Sequence, residues 1–533
     1  MSVPQTVAEV LSKHVVLEVE SIDRMYLNVY VPQLQAVEGT LKFIRIHRGH
    51  KVASTLMVEP ISRQFVASIE QFAKDHRIPV ILFQKGQRKD DFAKQQRKKF
   101  HQPEGVVFIG KAQEKCRVYR TEKRRNPKTK RTYPWIVKST TLVNHYYFYC
   151  IDEDFGPFFL KFCSYFPYNA KLCFNGHEYL KRQLQQKGIA YQALENGILS
   201  CKDPQQLQLL CDRLSETKID ALLRKWLRRL PHPFANQDRQ AGYRYQLSIL
   251  QLELSLTQVL DQPVSGRIFF EEVIRENLDL GRPKQVQLIF DRWVTKATPG
   301  PFRTRVITDG VIPSLHIDYK GTRIKQYHKE GRALRTKTTI NNTYDFYIGK
   351  NLRNLPALRH IGFQANRRLL QVQHISHDCI LAEEAFQKIN RPLRVDSQRT
   401  SALHFADSKV QALWRALLLF QLLPTGFSNR DLRPHFASLL GQSALSQGQM
   451  TYHLRRLRLH GIIERIPQTH RYRITSSGLR TLWFCTRTYS RILRPGLASV
   501  LPALSPANTA LRRSFDKLDQ EVTAWIQHEK LAA

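Results

Sequence analysis

Residues 445–475 dictate a helix followed at once by a tight two-stranded hairpin, and no other stretch restricts its own fold as closely. Ser446 offers a side-chain oxygen to the free amides of a first helical turn. Met450, Leu454 and Leu457 then recur at helical spacing, and Gly461 supplies the left-handed residue that ends a helix. Ile462 to Ile466 reads as a strand, Pro467-Gln468-Thr469-His470 as a turn, and Arg471 to Thr475 as the returning strand. Ser476 caps a further helix, and Ser408 to Leu422 and Ser428 to Leu440 read as two helices upstream.

An apolar back implies a polar front. Gln447, Gln449, Thr451, Tyr452, Arg455, Arg456 and Arg458 lie mostly off the stripe and are expected to face outward. Arginine can fork onto guanine and glutamine onto adenine, while further arginines hold phosphates. Thr451-Tyr452-His453-Leu454 followed by Leu457-Arg458-Leu459-His460-Gly461-Ile462-Ile463 resembles the winged-helix DNA-binding domains of the arsenical-repressor type. There a Ser/Thr–x–His–Leu stretch precedes Leu-Arg-x-x-Gly-Ile-Ile. The resemblance covers only the C-terminal part of the chain. It implies DNA contacts from the reading helix and from the hairpin, where Arg471 and Arg473 are the candidates. The competing reading is a winged helix used for protein contacts. No stretch of residues 1–400 resembles a named family.

Composition widens the argument to the whole chain. At 533 residues with 42% hydrophobic and 10% aromatic content, it is long and apolar enough for several cores. A formal net charge of +38 exceeds what solubility requires and calls for a polyanionic partner. Double-stranded DNA is the expected partner, with RNA and single-stranded DNA as the other polyanions. No basic amphipathic anchor, signal region or bilayer-length apolar run points to a membrane. Eight cysteines without a CxxC pair suit reduced, buried thiols. The nearest approach to metal spacing is Cys163, Cys173 and His177, which lacks a fourth ligand. These features predict a cytoplasmic protein, nucleoid-associated if the cell is bacterial.

The expected organisation has five parts. Residues 1–190 form an α/β domain: Val15 to Val31 is strand-like, Leu41 to His47 alternates like a strand, and Ile61 to His76 has helical periodicity. Ile78 to Phe83, Asp90 to Phe100 and Gly105 to Ile109 give a strand–helix–strand order with parallel pairing. A basic hairpin or loop in this part carries Lys123, Arg124, Arg125, Lys128, Lys130 and Arg131 beside Tyr119, Tyr133 and Trp135, a phosphate-tracking surface. Residues 191–262 read as a helical connector, with helical character from about 203 to 260. Residues 263–395 form a basic α+β domain whose sheet faces are lined with cations. Residues 396–495 hold the winged helix, and 496–533 a tail with an amphipathic helix over 511–530.

Phosphate-loop, dinucleotide, nucleophile-elbow and zinc-protease motifs are all absent. One constellation remains. Asp23 lies in the first strand, Asp152 and Asp154 end the Tyr146-to-Ile151 strand, and Glu178 opens a helix. Carboxylates at strand ends are what a two-metal phosphodiester-cleaving site uses. The alternative function is therefore a nuclease or strand-transfer enzyme of a mobile element, with Mg2+ or Mn2+ on Asp152 and Asp154 and catalysis from Asp23, Asp152 and Asp154. An acidic turn explains Asp152-Glu153-Asp154-Phe155-Gly156 equally well. Two lesser candidates are Lys85 to Asp91 after a strand, a phosphate loop or a plain helix start, and Tyr319, Tyr327 and His328 among cations.

Overall fold

Stretches that alternate apolar and polar residues become the strands of one large sheet. The computed structural model describes residues 5–500 apart from 85, 88, 262, 296, 310–311, 376–385, 396–397 and 421–425, and beyond them only 517, 520 and 521. It divides into two units, Met1–His377 and Asp378–Ala533. In the first, the strands are β1 (Gln5–Thr6), β2 (Val15–Tyr30), β3 (Val80–Leu82), β4 (Gly105–Arg125), β5 (Thr132–Asp152), β6 (Gly156–Cys163) and β7 (Ala170–Asn175). After these come β8 (Tyr191–Leu194), β9 (Gly197–Cys201), β10 (Gln246–Leu260), β11 (Phe302–Asp309), β12 (Ile312–Tyr319), β13 (Thr322–Lys329), β14 (Ala333–Ile340) and β15 (His374–Ile375).

Eleven of them form a mixed sheet in the order β11-β12-β13-β14-β10-β2-β7-β6-β5-β4-β3. Its centre is the long antiparallel pair of β10 and β2, from Gln246 opposite Tyr30 to Leu260 opposite Val15. Leu17, Val19, Met25, Leu27 and Val29 of β2 are buried at alternate positions, as a strand's period of two requires, whereas β10 is buried at every position from Leu254 to Leu260, Ser255 and Thr257 included. The expected parallel pairing is present only between β3 and β4, with Val80 opposite Ile109; every other neighbour in the sheet is antiparallel. Helices cover the sheet. Glu59–Asp75 sets Phe65 edge-on to Phe162 at 5.8 Å. Leu355–Val372 packs so closely that a Cβ on Gly362 would lie 2.2 Å from Leu254 Cδ1, and its Asn366 donates to the Leu254 carbonyl at 3.0 Å.

Three expectations need correction here. The helical character read over 203–260 stops short: Pro204–Asp212, Glu216–Arg229 and Asn236–Gln240 are helical, but Gln246–Leu260 is the central strand. Because β10 joins β2 to β14, the segments 1–190, 191–262 and 263–395 are not separate domains; one sheet runs through all three, and the boundary falls at 377/378 and not at 395/396. Leu41 to His47 belongs to a helical stretch, Val37–Lys42 continuing through Phe43–His47 as a π-turn, because the adjacent Phe43 and Ile44 are both buried. The predicted cationic sheet face is present: Asp318 of β12 is ringed by Arg303, Arg305 and Arg323 at 3.1, 3.0 and 2.6 Å.

The second unit contains a small hairpin, β16 (Leu393–Val395) with β17 (Gln398–Thr400), and then three helices, Ser408–Leu418, Asn429–Leu439 and Gln447–Leu459. Strands β18 (Ile463–Arg465) and β19 (Tyr472–Ile474) pair antiparallel, and helix Ser476–Thr488 follows. Its cap is Thr475, one residue before the expected Ser476. Trp414, Leu417, Leu432, Phe436, Met450, Leu454, Leu457 and Leu482 form one core among these elements. The tail helix expected over 511–530 lies almost wholly outside the described residues.

Candidate nucleic-acid interface

The helix Gln447–Leu459 begins as its residues require. Ser446 accepts from the Gln449 amide at 3.2 Å, and Gln449 reaches back to the Ser446 amide at 3.0 Å, a reciprocal capping box. Gln449 is thereby committed to the cap and not to an outward contact. Met450, Leu454 and Leu457 are buried, while Gln447, Thr451, Arg455 and Arg458 are exposed. At about 100° per residue these four fall within an arc of roughly 80°. Asn429 of the preceding helix donates to the Gln447 carbonyl and the Thr451 hydroxyl at 3.2 and 3.0 Å, tying the two helices at this end.

Arg456 does not face outward. It is 8% exposed, and its guanidinium donates to the carbonyls of Ser401 and Ala402. His460, one turn on, contacts the carbonyls of Lys388 and Ser401 at 2.9 Å. The helix thus has two covered flanks, the apolar core and the 388–402 segment, where the sequence shows only one. Tyr452 sits at the margin, exposed but with its hydroxyl 2.8 Å from Ser401 Oγ.

In the hairpin, Arg471 is drawn inward, donating to the Gly426 carbonyl at 2.8 Å and meeting Asp431 at 3.3 Å. Arg473 is exposed and paired with Glu464. Arg465, missed in the sequence, braces the turn by donating to the Thr469 carbonyl at 2.8 Å. Gln468 takes φ 60° at the tip.

The first unit carries a second basic feature. Strands β4 and β5 pair from Gly105 opposite Ile151 out to Arg125 opposite Thr132, making a long two-stranded ribbon. Asn126 closes its end, accepting from the amides of Lys128 and Thr129 at 2.9 and 3.2 Å. Lys123, Arg124, Arg125, Lys128, Lys130 and Arg131 are all exposed there. Arg124 stacks over Trp135 at 5.1 Å, and Tyr133 and Trp135 keep 39% and 37% of their surface open. Among the described residues no ion pair neutralises Lys123, Lys128, Lys130 or Arg131. A basic ribbon with exposed rings can follow a phosphate chain and stack on bases.

The carboxylates do not assemble as expected. Asp23 is buried beside His177 at 3.3 Å and Lys337 at 3.6 Å, with Asn196 donating to it. Burial alone would raise its pKa, but His177, Arg335 and Lys337 hold it far below the carboxylate range. Burial and the Arg335 charge push His177 the other way, below an ordinary histidine. Asp152 sits in another network: one oxygen accepts from the amides of Asp154 and Phe155, the other from Lys225 Nζ and Trp226 Nε1, both at 2.8 Å. That is the acidic turn, with every acceptor site taken by a protein donor. Asp154 is exposed and bonded to Gln186 at 3.1 Å, and Glu178 pairs with Arg97 and Lys181. Asp152 and Asp154 therefore form no paired metal site with Asp23.

Tyr319 is 1% exposed and stacked on Phe290 at 4.9 Å, and His328 is buried, so neither presents a nucleophile. Lys85 and Arg88 of the candidate phosphate loop lie outside the described residues, while Lys89 begins the helix Lys89–Lys98, as the plain helix start requires. Cys173 and His177 are not brought to Cys163; the three-ligand cluster among the described residues is Cys116, His145 and Cys163. Among those residues no helix is long and apolar enough to cross a membrane. No protein-family model, curated protein or solved structure matches the chain.

Proposed function

We propose that this chain binds nucleic acid, double-stranded DNA foremost, through a winged-helix arrangement in its C-terminal unit and a basic ribbon in its N-terminal unit. The observation that carries this reading is the arc of Gln447, Thr451, Arg455 and Arg458, exposed on a helix that buries Met450, Leu454 and Leu457 on one flank and Arg456 on another. An α-helix or a two-stranded ribbon fits the DNA major groove, and amide and guanidinium groups match the edges of adenine and guanine. The net charge of +38 supplies the long-range attraction. RNA and single-stranded DNA are alternative ligands for the ribbon, whose exposed rings suit unpaired bases.

The test is affinity of the full-length protein for duplex DNA across a salt series. Log affinity should fall linearly with log salt, by about 0.9 for each phosphate neutralised. Replacing Arg455 and Arg458 together by alanine should weaken duplex binding at every salt concentration. An unchanged affinity in that folded variant would remove the helix from the interface, and no duplex binding at low salt would remove the function.

A further inference from the structure

Three neighbouring strands of the sheet bring three potential metal ligands, far apart in sequence, to one point. Cys116 comes from β4, His145 from β5 and Cys163 from the end of β6. Their ligating atoms all lie within 4.8 Å of one another. In a tetrahedral zinc site with bonds of about 2.3 Å to sulfur and 2.0 Å to nitrogen, ligand atoms are separated by roughly 3.5–4 Å, so a small inward movement would close this set. Val118 and Val143 pack against Cys163 and wall the cluster on its apolar side.

The surroundings are those of a ligand set. His145 Nδ1 lies 3.2 Å from the Val143 carbonyl. Donation there fixes the ring and leaves Nε2 with the lone pair, the backbone-oriented histidine common beside metals.

We propose that Cys116, His145 and Cys163 bind one zinc-type divalent ion, with the fourth coordination position open. Three protein ligands and one free position are the composition of reactive zinc sites, whereas structural sites close with four. The open position has somewhere to lead. A cavity of about 420 Å³ touches Cys116 and His145 and is lined by Arg117, Lys161 and Lys171 together with Val29 and Ala170, a space of mixed polarity whose cations suit an anion or water as the fourth ligand. Two thiolates and an imidazole favour zinc over the hard ions magnesium and manganese.

The experiment uses the full-length protein stripped with a chelator and titrated with cobalt(II). A thiolate-to-cobalt charge-transfer band should grow to saturation at one equivalent, together with the visible bands of tetrahedral cobalt. Zinc should displace that signal, and two thiols should become unreactive toward a thiol reagent when metal is bound. Cys116→Ser with Cys163→Ser should abolish the band, His145→Asn should weaken metal affinity at least tenfold, and Cys173→Ser should leave the band unchanged. Absence of the band in the unaltered protein would overturn the site without recourse to any variant. So would persistence of the band in the folded double variant, or recovery of Cys116 and Cys163 as a disulfide from freshly reduced protein.

Discussion

Two neighbouring arginines of one helix have opposite fates. Arg455 is exposed on the outward arc, whereas Arg456 is clamped by the carbonyls of Ser401 and Ala402. Arg455→Ala should cost about 1–3 kcal/mol of duplex affinity if its fork meets a base, and leave the melting temperature unchanged. Arg456→Ala should do the reverse, lowering stability by about 1–3 kcal/mol by orphaning buried acceptors. Calorimetry and binding on the same two proteins separate these roles. A second contrast concerns Glu114. Burial would raise its pKa, but hydrogen bonds from Lys161, Lys89 and Tyr147 bring it from 4.5 to about 2. A depressed carboxylate stabilises the fold above its ordinary pKa, and that contribution fades as pH falls from about 4.5 to about 2. Acid unfolding of Glu114→Gln should accordingly show a shallower dependence on pH across that interval; an identical slope would mean that the ion pairs contribute nothing.

Elements were legible in the sequence where local signals agreed. The helix Gln447–Leu459 announced itself through a cap, a stripe and a terminating glycine, all within one segment. The burial of Arg456 was not legible, because the 388–402 segment that covers it lies some 55 residues upstream. Strand β10 was missed for a different reason. Leu252-Glu253-Leu254-Ser255-Leu256-Thr257 alternates faithfully, but leucine favours helices and the preceding segments are helical. Without β10 as a strand, nothing in the sequence joins β2 to β14, and the sheet falls into separate domains. The carboxylates show the same limit: Asp152 carries the signature of an acidic turn in its own sequence, while Lys225 and Trp226, which saturate it, lie more than seventy residues away. The ribbon was readable in composition but not in reach, since its strands extend twenty-one residues each. Alanine at Lys128, Lys130 and Arg131 should reduce the salt dependence of binding by about 2–3 units of slope, if all three touch phosphates. An unaltered slope would place the ribbon tip away from the ligand.

At the scale of the molecule, an eleven-stranded sheet has two margins, and its β11 margin is eight residues long. Backbone groups along such a margin can template a further strand from another chain. Here Arg303 and Arg305 alternate along β11, sharing with Arg323 the single carboxylate of Asp318. The local excess of cation makes the approach of an identical margin repulsive, at a separation well inside a Debye length. Arg303→Thr with Arg305→Thr should retain the fold but raise light scattering and thioflavin binding on storage; a variant that stays monodisperse would assign the guarding role elsewhere. Salt screens the same repulsion, so concentrated electrolyte would lower the barrier to self-assembly and, on the proposed function, loosen the grip on a polyanion in the same step. On the proposed function, polymer binding and dispersal in solution both draw on positive charge, and whatever neutralises that charge at Arg303 and Arg305 invites the molecules to zip together along their β11 margins.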